Sequence, residues 1–255
     1  MTLDTRRIVS RLTTLESIAV IPRVSSTNLV ARRIVNECIE NEESLPKAII
    51  IAGEQFAGRG RNARQWSSPA GKGIYATTLL PIPASELSLL PLQMANIVAS
   101  YLREVFAIDA RVKWPNDVLA GGRKIAGILI EARMNEERAF VLIGTGINVE
   151  SVQDDLRPNA TSIADVSPRD FHGIDVATEA FIEHVDQRLG REPERDAVLD
   201  EWRSYSIHEA GDRIQCVVGE RNLDGTWEGI DEHGRALLRS GAETIAVSAG
   251  DLILV

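Results

Sequence analysis

Apolar positions along the chain keep a helical period in some stretches and a two-residue period in others, and the changes between the two mark out the elements. From Asp4 to Glu16 the residues Ile8, Val9, Leu12 and Leu15 recur at helical spacing, with Asp4 placed to cap. Ile18 to Val24 reads as a strand, and Ser26 then caps a helix carrying Ala31, Ile34, Val35 and Cys38 to about Glu40. Ala48 to Ala52 is apolar throughout, as a strand covered on both faces is. Ile74 to Leu80 alternates as a strand, and after Pro81–Pro83 a helix starts at Ala84 or Ser85 and runs to Phe106. Ala110 to Lys113 is a strand stopped at Trp114-Pro115, because proline lacks an N–H donor and holds its predecessor extended. Gly121-Gly122 is a hairpin turn between Val118-Leu119 and a strand from Lys124 to Ala132, with another strand from Phe140 to Val149.

A polar connection, Val152 to Asp170, follows, in which Ala160-Thr161-Ser162-Ile163 helps to close the core. Helices are predicted over Asp175–Leu189 and Arg195–Tyr205. From Gly211 the pattern changes to short strands with glycine turns: Arg213–Val218, Asn222–Ile230, Ala236–Arg239, Glu243–Ser248 and Leu252–Val255. These read as a small barrel. The pattern thus predicts an α+β fold divided at 1–208 and 209–255.

Charge narrows the function. A net charge of −9 argues against nucleic acid as a general partner. No apolar run approaches the ~18 residues of a membrane span, and the N-terminal residues are too polar for a secretory signal. Cys38 and Cys216 lack metal-ligand spacing, which argues for a reducing, cytoplasmic setting and against a metal site. Against this acidic background stands Gly58 to Gly73, with Arg59, Arg61, Arg64, Lys72, four glycines, Trp66 and no acid. Glycines let backbone N–H groups approach an anion, guanidinium forks match phosphate or carboxylate, and an indole face stacks on a base. A solvated basic loop is the plainer reading of the same residues.

A second stretch changes that balance: Lys113-Trp114-Pro115-Asn116-Asp117, then Arg123-Lys124-Ile125-Ala126-Gly127. With Ser25-Ser26-Thr27-Asn28, Gln55, the Gly58 loop and Gly144-Thr145-Gly146-Ile147-Asn148, it stands in the order and spacing of biotin protein ligases, which the chain resembles from about Ile18 to Tyr205. The resemblance implies a mixed, largely antiparallel sheet with helices packed on it, as in class II aminoacyl-tRNA synthetases, and a C-terminal SH3-like barrel. It also implies an ATP-dependent ligase that makes biotinyl-5′-AMP and transfers biotin to a lysine of the biotin carboxyl carrier domain of a carboxylase. The magnesium expected is that of the ATP, and the molecule is expected to be a monomer or homodimer. With the Ser25–Asn28 motif so near the start, a monofunctional ligase without an N-terminal DNA-binding domain is expected.

By the same resemblance Ser26, Thr27, Asn28, Gln55 and Gly127 meet biotin, and Lys124, Arg59 and Arg61 meet its carboxylate and the α-phosphate. Arg64 supports the loop or meets pyrophosphate, Trp66 stacks on adenine, and Lys113, Asn116 and Asn148 serve the adenylate. Asp117 orients the acceptor lysine or binds magnesium. Two departures from the family stand out, Ala63 for a glycine and Phe56 for a small polar residue. A lipoate or octanoate ligase or transferase, a non-catalytic biotin-sensing protein and an SH3-like interaction protein with an inactive α/β part are the alternatives.

Overall fold

The computed structural model describes residues 3–135, 138–170, 172–191, 194–218 and 221–254. Its elements are α1 (Thr5–Val9), β1 (Ser17–Ile21), α2 (Thr27–Glu40), β2 (Ala48–Ala52), β3 (Gly73–Pro83), α3 (Leu90–Phe106), β4 (Ala110–Lys113), β5 (Asp117–Ala120), β6 (Arg123–Asn135) and β7 (Arg138–Asn148). They continue with α4 (Ile163–Val166), α5 (Ile174–Leu189), α6 (Arg195–Tyr205), β8 (Arg213–Val218), β9 (Arg221–Ile230), β10 (Ala236–Ser240), β11 (Glu243–Val247) and β12 (Asp251–Leu254). A seven-stranded sheet runs β1-β2-β3-β7-β6-β5-β4, with only β1 and β2 parallel, and a five-stranded antiparallel sheet runs β11-β10-β9-β8-β12. This is the mixed α+β architecture expected, and the second sheet is consistent with an SH3-like module.

Several boundaries differ from expectation. Strand β3 runs on through the predicted Pro81–Pro83 break, paired with β7 as far as Pro83, and β6 continues to Asn135 instead of Ala132. Three further differences have a visible cause. The first helix stops at Val9, not Glu16, because the buried Asp186 carboxylate takes the N–H groups of Thr13, Thr14 and Leu15 at 2.7–2.9 Å and draws them out of helical pairing. The third helix starts at Leu90, since Ala84–Glu86 is a separate 3₁₀ turn and Pro91 sits in the first helical turn, where its missing N–H leaves nothing unpaired. Strand β1 ends at Ile21, before the donor-less Pro22. The last strand spans Asp251–Leu254, and Val255 lies outside the described residues.

Side-chain alternation gives the large sheet two faces. Ile49 and Ile51 of β2, Ile74 and Ala76 of β3, and Val141, Ile143 and Ile147 of β7 point to the main core, where α3 is buried along most of its length. The other face carries Ile50, Leu79, Phe140 and Leu142, which α2 covers with Ala31, Val35 and Cys38. Further along the same face β7 presents Gly144, Gly146 and Asn148 instead of large apolar residues. There the sheet is left open, and the cavity described next occupies the gap. The main apolar cluster also runs into the second sheet through Ile214, Trp227, Leu238 and Leu252.

Candidate functional site

Lys124 is aimed by an irregularity in β6. In the β5–β6 ladder Val118 pairs with Ala126 but Leu119 pairs with Lys124, so Ile125 is an extra residue. Strict alternation from Ala126 and Ile128, both buried in the core, would send Lys124 inward with them. The bulge reverses its parity and puts it on the face of Gly127, while Ile125 stays in the core. There its Nζ pairs with Asp117 Oδ1 at 2.6 Å and lies 5.3 Å from the centre of the Trp66 ring. The backbone of Lys124 also bonds Asn159 and Thr161, which brings the polar connection back over the site.

The floor is made of glycines. A Cβ at 146 would overlap the Trp66 indole, one at 144 would overlap the Asn28 amide, and one at 127 would press on Trp66 and Lys124 at 3.1 Å. These glycines are needed for close approach. Trp66 therefore lies flat on β6 and β7, its Nε1 buried without an acceptor. Above it the loop is held by Trp66 N–H donating to Gly58 O at 3.0 Å and Gln55 N–H to Ser68 O at 3.0 Å. The left-handed residue of the Arg61–Ala63 turn is Asn62 (φ 52°), so the strained conformation does not fall on the alanine at 63. Phe56 is exposed beneath the Arg23 guanidinium, 5.2 Å from its ring centre.

One end of the cavity is a buried polar cluster. Ser26 precedes α2 but makes no side-chain cap bond, which corrects the expectation that its hydroxyl caps the helix. The first helical N–H, that of Thr27, is satisfied by Gln55 Oε1 at 2.8 Å. Gln55 Nε2 donates to Ser68 Oγ at 3.0 Å. The Ser26 hydroxyl is thus left for the cavity it lines.

The opposite end is cationic. Arg59 is exposed and lines the cavity beside Arg61, Arg64 and Lys124. Arg61 donates to Asn116 Oδ1 at 2.8 Å and to the carbonyl of Gly250, between β11 and β12, at 3.3 Å. Asn116 in turn donates to Ile128 O, and Asn148 to Thr161 O at 2.9 Å, so both amides brace backbone. Behind this end, His208 Nε2 accepts the Trp114 N–H at 3.2 Å and its ring stacks on Trp227 at 4.6 Å. Burial, then the Lys113 charge, lowers the His208 pKa to about 4.

Thirteen of the fourteen residues singled out from sequence line this one cavity of about 300 Å³. A polar cluster faces a group of cations across a glycine floor, an arrangement suited to an acid whose carboxylate is brought to a phosphate. Residues 20–148 match the model of the biotin/lipoate A/B protein ligase family. The chain belongs to that family. It is 30% identical over 253 residues to the biotin--[acetyl-CoA-carboxylase] ligase of Mycobacterium tuberculosis, covering 92% of this chain and 87% of that one. The bifunctional ligase/repressor BirA of Bacillus subtilis is 30% identical over 254 residues, covering 91% of this chain and 72% of the relative. Among solved structures, the biotin protein ligase from Aquifex aeolicus in complex with biotin and ATP superposes with a TM-score of 0.72 at 25% identity, covering 93% and 98% of the two chains.

The exception among the family residues is Lys113, which stands opposite Asp117 across β4 and β5 but lines neither this cavity nor its neighbour. Sequence reasoning named Thr145 and Ala160 without giving them a ligand role, and it passed over Leu156, all three of which also line the cavity, as well as Glu131, Arg32 and Thr77 behind it. For Glu131 a signal existed in the period-two rule, since it shares a strand face with Gly127.

Proposed function

We propose that this ligase-family member activates biotin with ATP and transfers it to a lysine of a biotin carboxyl carrier domain. The observation that carries the proposal is a single cavity with hydrogen-bonding side chains Ser26, Thr27 and Gln55 at one end and Lys124, Arg59 and Arg61 at the other. In the first step a biotin carboxylate oxygen attacks the α-phosphorus, pyrophosphate leaves, and biotinyl-5′-AMP forms. In the second, the uncharged acceptor amine attacks the acyl carbon, AMP departs, and the amine gives up its proton. Negative charge gathers on the phosphoryl oxygens in one transition state and on the acyl oxygen in the other, so fixed cations serve both.

Lys124 is assigned the central charge, held beside the acid by the β6 bulge. Arg59 and Arg61 bind the carboxylate and α-phosphate side, and Arg64 the pyrophosphate side. Asn28 and Gly127 shape the biotin end, Asn116 and Asn148 the adenylate end, and Lys113 acts from behind Asp117. Trp66 offers adenine the ring surface not occupied by Gly127 and Gly146. Asp117 is the only carboxylate lining the cavity among the described residues, and it is paired with Lys124. Magnesium is proposed to enter on the ATP phosphates; no group of three His, Cys, Asp or Glu is placed to hold a metal among the described residues. Asp117 then becomes free to orient the acceptor amine when Lys124 turns to the phosphate. Residues 1–208 are the catalytic part, and 209–255 supply the Gly250 brace to Arg61. Action in the cytoplasm is part of the proposal, and no described helix is long and apolar enough to cross a membrane.

Exchange of labelled pyrophosphate into ATP tests the reading. Exchange that requires biotin, is lost in Lys124→Ala and is not supported by lipoate is the expected result. Exchange with lipoate alone would transfer the protein to the other branch of its family.

A further inference from the structure

A line of polar side chains runs from the outer face of α2 to the floor of the cavity. The Arg32 guanidinium pairs with Glu131, whose Oε1 accepts a hydrogen bond from Asn28 Nδ2 at 3.2 Å. Thr77 Oγ1 stands 2.7 Å from both Asn28 Oδ1 and Thr27 Oγ1. Thr77 is fully buried and does not line the cavity.

Counting protons gives this line a direction. A carboxylate paired with arginine can only accept, so Asn28 turns its amino group to Glu131 and its carbonyl to Thr77. A carbonyl brings no proton, so the single hydroxyl proton of Thr77 goes to Asn28. Thr27 must then donate to Thr77, and only lone pairs remain on Thr27 for its other neighbours. The Gln55 amide is fixed independently, because its Oε1 accepts the Thr27 N–H at 2.8 Å and its Nε2 donates to Ser68. Thr27 Oγ1 and Gln55 Oε1, 3.2 Å apart, are therefore two acceptors with no proton between them. Gly144 leaves the room that Asn28 needs for this arrangement.

We propose that the Arg32–Glu131 pair, acting through Asn28 and Thr77, sets Thr27 and Gln55 as an acceptor pair that selects a ligand ring presenting an N–H. Arg32, Glu131 and Thr77 are positioning residues that never touch the ligand. The inference rests on the biotin reading for the identity of the ring: a cyclic urea has N–H groups to offer, and a dithiolane has none.

Calorimetric titration with biotin, and with biotin methylated at each ureido nitrogen in turn, tests it on the wild-type protein, Glu131→Gln and Thr77→Val. Glutamine can accept or donate, so the orientation of Asn28 is no longer imposed, and valine keeps the shape of Thr77 while removing its hydroxyl. Both variants are expected to weaken biotin about tenfold, the worth of one hydrogen bond, and to leave the affinity for one methyl derivative nearly unchanged, so that the preference shrinks about tenfold. The KM for ATP in pyrophosphate exchange stays within about twofold, since no ATP contact is altered. Unchanged preference in Glu131→Gln would overturn the inference, as would equal weakening of all ligands, the mark of a packing defect. Glu131 is partly exposed, so its variant carries the test if Thr77→Val does not fold. Wild-type protein that binds no biotin would overturn the biotin reading itself, and this inference with it.

Discussion

Thr27, Asn28, Gln55 and Thr77 are joined to one another and to Glu131 by hydrogen bonds of 2.7–3.2 Å, and Thr27, Asn28 and Thr77 are almost completely buried. At the other end of the same cavity Arg59 is exposed, Lys124 is paired with Asp117, and Arg61 holds a side-chain amide and a carbonyl from the second sheet. The first end has no bond to break before a ring enters. The second holds every charge that a phosphate or carboxylate must take over. On the proposed function, recognition is built in advance, whereas the chemistry requires Lys124 and Arg61 to exchange partners.

The largest expected effect lies at the cationic end. Lys124→Ala removes the central charge and leaves Asp117 without its partner, and kcat for pyrophosphate exchange is expected to fall roughly 10²–10³-fold, as for loss of a main electrostatic stabiliser. Biotin affinity measured without ATP is expected to fall much less. Equal losses in the two measurements would show that Lys124 serves ground-state binding alone and would erase the contrast between the ends.

Acid should act on the cationic end through its support. His208 has a folded pKa of about 4 against an ordinary 6.5, so between these values the unfolded chain binds the extra proton. The associated stability is fully present above pH 6.5 and is lost as pH falls toward 4, a total of roughly 3 kcal/mol. Between pH 7 and pH 5 urea unfolding should register about 2 kcal/mol of this loss in the wild-type protein, and His208→Asn should lack that portion. Parallel pH profiles for the two proteins would remove His208 as the pH-sensitive support of Trp114.

At the recognition end the sensitive atoms are absent side chains. Gly144→Ala puts a methyl group into the Asn28 amide, and overpacking of this kind costs about 1–3 kcal/mol. The expected readout is biotin affinity weakened about ten- to a hundredfold with the KM for ATP little changed. Gly146→Ala, which strikes Trp66, should affect both ligands. Should Gly144→Ala weaken ATP as much as biotin, the two ends are one mechanical unit.

Much of this was legible in the chain, for physical reasons specific to each stretch. Ala48–Ala52, Ala110–Lys113 and Arg213–Val218 fall at their predicted bounds because an all-apolar run, a proline stop and a short alternating strand each have a local cause. The hairpin turn is fixed by Gly121 and Gly122 at φ 55° and 75°. The aim of Lys124 was not legible, since period-two counting from Ala126 points it into the core and only pairing with β5 shows the extra Ile125. Nor was the line from Arg32 to Thr27. Its members lie on α2, β3 and β6, and what brings them together is register, Thr77 facing Gly144 and Glu131 facing Leu142. The early end of α1 likewise depends on Asp186, more than 170 residues away.

The smallest effect tests whether the second sheet takes part. Arg61→Lys keeps the charge but loses the planar fork that reaches Asn116 and Gly250 together. One charge-assisted bond out of two is expected to go, about 1 kcal/mol, seen as a severalfold rise in the KM for ATP with biotin affinity unchanged. Because the Gly250 bond accepts at a backbone carbonyl, no side-chain change can remove it directly, and Arg61→Lys is the cleaner probe. A variant indistinguishable from wild type in ATP use would mean that Arg61 binds ligand as a simple charge and that its bond to Gly250 does not position it. A change confined to ATP would instead make the turn between β11 and β12 part of the cationic end, and the division of the chain at 208 and 209 would then separate two sheets but not two functions.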